Sequence, residues 1–432
     1  MSNSGKPIFF KYSADDLFFI GFNINMGLLP PLITLIGNKA LQLPLIITAV
    51  MIYFRLLVRP NVFARFTKTL SDANIILILA LIGLLVVYAI TADYAEDDRI
   101  RLLLKPGLVL LAMTTLRYSI SNKCELDQIR LGKFLMTGMI IGLFTMFFYS
   151  FLNASDWVMY LEDQLGMVKV NKLNRALEVS SVLVFLCAIG ITNRLRSVSV
   201  TIILAVGVYL LSFYVVGSAF WSGTWHPGIH VDSETVQFGM PIAFLVFLLA
   251  QKFPRIVTNI VFSGICVLLL AAPWIYQLIY KVLLTLINPT MPIGIRKILF
   301  RGEIWDLVAK KSLESPIFGH GIDSARYLGN IVVNSTYKSV NVLSHPHNMI
   351  LQIWLDLGFA GVIIVFGLLV LAWRFMAKIP TTNHAAILGG LVMLTVFSIV
   401  SHSLWQAWSI ALIAIFVTLV ASLHSTSPQS QD

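Results

Sequence analysis

The chain has 432 residues, 57% of them hydrophobic and only 12% charged, with a mean hydropathy of +0.83. Soluble domains carry about 25% charged residues, so the composition excludes an ordinary soluble protein and points to a chain mostly sunk in hydrocarbon. The formal net charge of +10 does not signal nucleic acid, because Lys and Arg sit in short connections between apolar runs, which suits anionic lipid headgroups. Cys124, Cys187 and Cys266 have no CxxC spacing, and the latter two read as small buried residues within apolar runs. Met1 to Asp16 is polar, so no cleavable signal peptide is expected.

In chain order, twelve apolar runs fall at about 17–37, 41–58, 73–91, 102–116, 133–152, 176–192, 198–216, 236–251, 256–279, 358–373, 384–401 and 407–423. A straight span needs about 20 apolar residues. The expected fold is therefore all-α, a polytopic transmembrane helical bundle of about 12 spans, with a large outer loop containing short amphipathic helices. Residues 1–279 would supply helices 1–9, 280–347 the large loop, 348–423 helices 10–12, and 424–432 a cytoplasmic tail. Leu29-Pro30-Pro31 predicts a kink in the first span. Lys105, at the start of the fourth, is expected to snorkel to the surface. The stretch from Asn348 to Trp373 reads either as one tilted helix or as an amphipathic turn before a shorter span.

Orientation follows from the positive charges. With the N-terminus inside, the inner segments hold sixteen Lys and Arg residues and the short outer loops hold six: Lys39, Arg99, Arg101, Lys169, Lys172 and Arg175. Both termini are expected in the cytoplasm, which places 153–175, 217–235 and 280–347 outside. Within the last stretch, Ile304, Leu307 and Val308 recur at helical spacing, and Ser315-Pro316 with the following glycines end the pattern. The helix from Gly302 to Leu313 is expected to lie on the outer membrane surface. The spans hold few ionisable residues, against the pattern of a transporter, and polar residues gather in the outer loops instead.

One constellation stands out there: Arg301-x-x-Ile304-Trp305, Pro316-x-x-Gly319-x-Gly321, His345-x-His347-Asn348 and Gln352-x-Trp354-x-x-x-Gly358-x-x-Gly361. In this order, with ten residues between His347 and Gly358, the motifs resemble the O-antigen ligase and polymerase superfamily. NRALEVSSVLVF at 174–185 resembles the family's Asn-Arg start to a mid-chain span. One departure is DSETVQFG, where Ser233 is followed by Glu234 in place of the family's Arg, and no catalytic role is carried onto Glu234.

The resemblance implies a metal-independent, inverting glycosyltransferase without cofactor, working at the periplasmic face of the bacterial inner membrane. The donor would be an undecaprenyl-diphosphate-linked glycan. The acceptor would be lipid A–core for a ligase, or a growing chain for a polymerase of O-antigen or exopolysaccharide; a flippase that forms no new bond is a further alternative. Membrane lipids are the other expected partners, and nucleic acid is not. A lipid diphosphate leaving group asks for fixed cations, and Arg offers phosphate a permanently charged planar fork. Arg301 and Arg175 are the candidates, with Lys172 a third. The attacking hydroxyl asks for a base, which His347 suits; His345 and Asn348 would flank it as glycan-binding or orienting groups. No DxD pair or dense His/Cys cluster suggests a metal. Trp221, Trp225, His226 and His230 form an outer polar-aromatic patch, read as an interface belt or a glycan contact.

Overall fold

The computed structural model describes residues 13–35, 38–68, 73–91, 98–122, 128–153, 170–189, 191, 194–216, 234–288, 293–327, 333–335, 338–340, 346–400 and 403–422. The elements are α1 (Ala14–Ile33), α2 (Gln42–Val58), α3 (Pro60–Lys68), α4 (Ala73–Ile90), α5 (Arg99–Ser121), α6 (Gln128–Asn153), α7 (Val170–Leu183) and α8 (Arg194–Val216). They continue with α9 (Glu234–Lys252), α10 (Pro254–Leu286), α11 (Ile293–Ser312), α12 (Met349–Met376), α13 (Thr381–Val400) and α14 (Ala407–Ser422). A small antiparallel hairpin, β1 (Val333–Ser335) with β2 (Lys338–Val340), lies between α11 and α12 and pairs Asn334 with Ser339.

Each of the twelve apolar runs folds as a helix, and α3 and α11 are additional. Six helices among the described residues are long and apolar enough to cross a membrane, or seven if the bent α2–α3 pair counts as one; three shorter apolar helices are Ile78–Ile90, Arg196–Ser212 and Ala407–Ser422. The rest of the expected dozen differ for visible reasons. Helix α5 carries Arg99, Arg101, Lys105 and Arg117, and α7 tightens into a 3₁₀ segment at 184–188. Among the described residues the chain is a multi-pass helical membrane bundle with that one hairpin.

Local chemistry explains the breaks. Leu29-Pro30-Pro31 is absorbed by a π turn over Ile24–Leu28, which puts both prolines in the first turn of the following segment, where a missing amide matters least. Pro60 forces Arg59 into an extended conformation (φ −122°, ψ 91°), and the chain turns by 112° between α2 and α3.

Two cores matter for function. A large one gathers α1, α2, α6–α9, α13 and α14 around Phe22, Phe185, Phe247 and Phe397. A second joins α10, α11 and α12 around Tyr276, Ile304, Trp305, Val308, Leu351 and Trp354. This corrects two expectations. The amphipathic helix starts at Ile293 rather than Gly302, and its apolar face is buried against α10 and α12 rather than on lipid: Ile304 is 2% exposed and Val308 fully buried. Gly302 permits that approach, since a Cβ there would lie 2.8 Å from the Leu283 side chain. Lys105 does not snorkel either. It is buried and its Nζ lies 2.6 Å from the Asp323 carboxylate, a partner that sequence distance conceals.

Candidate functional site

The first residue of interest is His347, which opens α12. Its φ of +51° is left-handed, and among the described residues only Asp323 (φ +60°) shares that property without being glycine. Such conformations cost about 1–3 kcal/mol and persist where the surroundings enforce them. Here the enforcement is visible. Asn348 is fully buried; its Oδ1 accepts from the Leu351 amide at 2.9 Å, capping α12, while its Nδ2 donates to the Ile399 carbonyl at 3.1 Å. His347 itself is half-buried between the buried Pro346 and that cap. The geometry thus makes Asn348 an anchor of the corner beside His347.

Asn348, Gln352 and Asp356 recur every fourth residue, so they line one face of α12, and all three are fully buried. Each ties a different segment to the helix. Gln352 Oε1 accepts from the Ser403 hydroxyl (3.0 Å) and the Leu404 amide (2.9 Å). The Asp356 carboxylate accepts from the Asp323 amide (3.2 Å), the Ser324 amide (3.1 Å) and hydroxyl (2.5 Å), and the Trp405 indole (2.5 Å). Four donors on one carboxylate make it the knot of the region. Trp354, on another face, donates to the Leu269 carbonyl at 2.7 Å and packs edge-on against Trp274, so it is a packing residue.

Helix α12 breaks at Gly358 (φ 59°, ψ −157°), a region open essentially to glycine alone. A helix break orphans carbonyls on one side and amides on the other. The Pro316–Gly321 motif satisfies both. His320 and Gly321 amides donate to the Leu355 and Asp356 carbonyls at 2.8 and 2.9 Å, and the Phe359 and Ala360 amides donate to the Pro316 and Ile317 carbonyls at 2.8 and 3.0 Å. The two glycine motifs of the sequence are therefore one structural device.

Arg301 sits on α11, half-buried, one turn before Ile304 and Trp305. Tyr276 of α10 bridges this helix and the His347 corner: its ring meets Trp305 edge-on (5.2 Å, 65°) and its hydroxyl is in hydrogen-bonding contact with Asn348. Arg301's helix and His347 are thereby held by one core. Beside Arg301, burial and then the neighbouring Asp306 raise the Glu303 carboxyl above its usual range, while Lys310 takes Asp306 at 2.7 Å.

Arg175 is placed differently. Its guanidinium binds the buried Glu178 at 2.9 Å and lies 5.2 Å over the Trp408 ring, with the side chain 16% exposed. Much of its charge is already offset. Lys172 lies on α7 but its side chain is outside the described residues, as is all of His345 and the Trp221, Trp225, His226 and His230 patch; Glu234 begins α9. Sequence reading missed Asp356, Asp323 and Lys105 as a unit. The available signal was an ionisable residue inside each of two apolar stretches. Among the described residues, no three His, Cys, Asp or Glu side chains converge to hold a metal ion.

Comparisons with known proteins agree with the motif reading. Residues 229–366, covering α9 to the first half of α12, match the O-antigen ligase family. The chain is 24% identical over 292 residues to a candidate polysaccharide ligase of Rickettsia typhi, covering 64% of each protein. It is 27% identical over 191 residues to one of Rickettsia prowazekii (41% of this chain, 44% of that one) and 31% over 113 residues to one of Rickettsia conorii (25% and 28%). In each case the match spans less than two thirds of the relative's own length. The region that matches the O-antigen ligase family is centred on the joined α10–α12 core, and the polysaccharide ligases are what the chain is similar to beyond it.

Proposed function

We propose that this protein transfers a polysaccharide from an undecaprenyl-diphosphate carrier onto lipid A–core at the periplasmic face of the bacterial inner membrane. The observation that carries the reading is the left-handed His347 at the capped start of α12, sharing one core with the Arg301 helix inside the matched region. In the reaction, His347 takes the proton of the acceptor hydroxyl. The hydroxyl oxygen attacks the anomeric carbon from the face opposite the diphosphate, the anomeric C–O bond breaks, and its electron pair leaves with the diphosphate. Configuration inverts. Arg301 offsets the charge of the leaving diphosphate by bidentate hydrogen bonds, so no metal ion is required. Arg175, with Glu178 at its side, presents a weaker second cation, and in this reading Lys172 and His345 contact the glycan.

A polymerase would use the same donor and leaving group; the polysaccharide-ligase names of the similar proteins favour ligation over chain extension. A deletion strain separates the readings. Long carrier-linked chains with bare lipid A–core support the ligase, single-repeat caps indicate a polymerase, and failure of glycan to reach the outer face indicates a flippase.

A further inference from the structure

Arg326 follows Gly321 by five residues and belongs to no motif of the sequence. Its neighbour Ala325 is 3% exposed and packs into the same core as Ile304 and Trp305 of the Arg301 helix and Ile350 and Leu351 just after His347. The turn at 324–326 is therefore tied into the core that also holds the Arg301 helix and the start of α12. It is rigidly held. Asp356 receives the Asp323 and Ser324 amides, the Arg326 amide closes on the Asp323 carbonyl at 3.1 Å, and Tyr327 donates to Asp98 at 2.6 Å.

The charges around Arg326 leave it with an excess. Its Nε donates to Asp323 Oδ2 at 3.3 Å, but Lys105 holds that same oxygen at 2.6 Å and is buried with it, their side chains being 6% and 2% exposed. The nearer, better-buried cation offsets most of the Asp323 charge. Asp98 lies 3.7 Å from Arg101, and the Asp356 carboxylate is saturated by four donors. Asp323 thus orients Arg326 through Nε, while no described residue takes the two terminal NH₂ groups of this 30%-exposed side chain. Those groups match two oxygens of a phosphate.

We propose that Arg326 is a second ligand, with Arg301, of the donor's diphosphate, and that Asp323 is the positioning residue that aims it. The proposal rests on the glycosyl-transfer reading above. The shared chemistry is a phosphate oxyanion, which a phosphorylated acceptor could also supply, so donor and acceptor must be varied separately.

The test uses full-length protein in lipid nanodiscs, with pyrophosphate binding measured by titration calorimetry and transfer kinetics measured alongside. Arg326→Gln should weaken pyrophosphate binding and raise the donor KM by roughly 10- to 100-fold, the range of one charge-assisted hydrogen bond, with the acceptor KM unchanged. Arg326→Lys should recover part of both, and Asp323→Asn, made in the Lys105→Met background so that no buried charge is stranded, should raise the donor KM by less than Arg326→Gln does. Should the Gln variant fold poorly, the Lys variant carries the test, because the loss of planarity alone should still raise the donor KM. Wild-type pyrophosphate binding and donor KM in the folded variants, a rise confined to the acceptor KM, or no pyrophosphate binding by wild type would overturn the assignment. Pyrophosphate binding that depends on Arg326 without transfer from any glycan donor would instead sink the glycosyl-transfer reading and leave the anion site standing.

Discussion

Gly319 and Gly358 meet backbone to backbone: a Cβ on Gly358 would lie 2.5 Å from the Gly319 amide nitrogen, and one on Gly319 would lie 2.7 Å from the Gly358 nitrogen. Both have positive φ, 70° and 59°. The loop after α11 and the break in α12 are thus spliced through main-chain hydrogen bonds, and the splice fixes where the two halves of α12 point.

Alanine at either glycine should therefore be far more damaging than alanine in an ordinary helix. Gly358→Ala and Gly319→Ala each add conformational strain of about 1–3 kcal/mol to a backbone clash that no side-chain movement relieves. Thermal unfolding in detergent should show a clear loss for both, whereas Gly264→Ala, where a Cβ meets nothing within 4 Å, should be neutral or stabilising. Equal melting temperatures for all three would refute the splice.

The Lys105–Asp323 pair should behave as a buried ion pair. Removing one partner strands a charge and costs about 3–5 kcal/mol, while replacing both by uncharged groups of similar size is far milder. Lys105→Met should thus destabilise the protein strongly, and Asp323→Asn combined with it should recover much of the loss. Additive losses in that double-mutant cycle would show the two side chains act independently.

Arg301→Lys retains charge and removes the planar fork. Breaking one charge-assisted hydrogen bond costs on the order of 2–3 kcal/mol, or roughly 30- to 150-fold in rate if felt in the transition state. Carrier-linked donor and purified variant give the measurement, and near-normal transfer by the Lys variant would reduce Arg301 to a surface anchor.

His347 and Asn348 are adjacent but should fail differently. His347→Ala should leave folding and pyrophosphate binding intact while lowering transfer by roughly 10²–10⁴-fold. Asn348→Ala removes the α12 cap and the hydrogen bond to Ile399, so it should lower thermal stability by about 1–2 kcal/mol and activity only in step with folded protein. His345→Ala should cost less than His347→Ala. Wild-type activity for His347→Ala, or equal activity for the two histidine variants, would remove His347 from the role of base.

Orientation is checked by labelling. With Cys124, Cys187 and Cys266 replaced, a single cysteine at Ser335 on β1 should react with a membrane-impermeant thiol reagent in intact cells, and one at Ser121 at the end of α5 should not. The reverse pattern would place the Arg301–His347 site on the cytoplasmic side and end the periplasmic reading.

Where the helices would lie was legible from sequence because burial in lipid demands long uncharged runs, and all twelve runs became helices. The motif residues were legible too, since glycine, proline and histidine at fixed spacing leave a local signature: Gly319, Gly321 and Gly358 are the glycines with positive φ among the described residues. Pairing between distant segments was not legible. Lys105 and Asp323 are 218 residues apart, so hydropathy registered one as a charge near a membrane surface and the other as a loop acid. Only the packing of α5 against the Asp356 knot brings them within 2.6 Å. Likewise, periodicity could mark an apolar face on α11, but whether that face met lipid or protein depended on α10 and α12 presenting Tyr276 and Leu351 to it. Local sequence determines what a segment can bury, whereas tertiary structure decides against what, because both solutions satisfy the same hydrophobic effect.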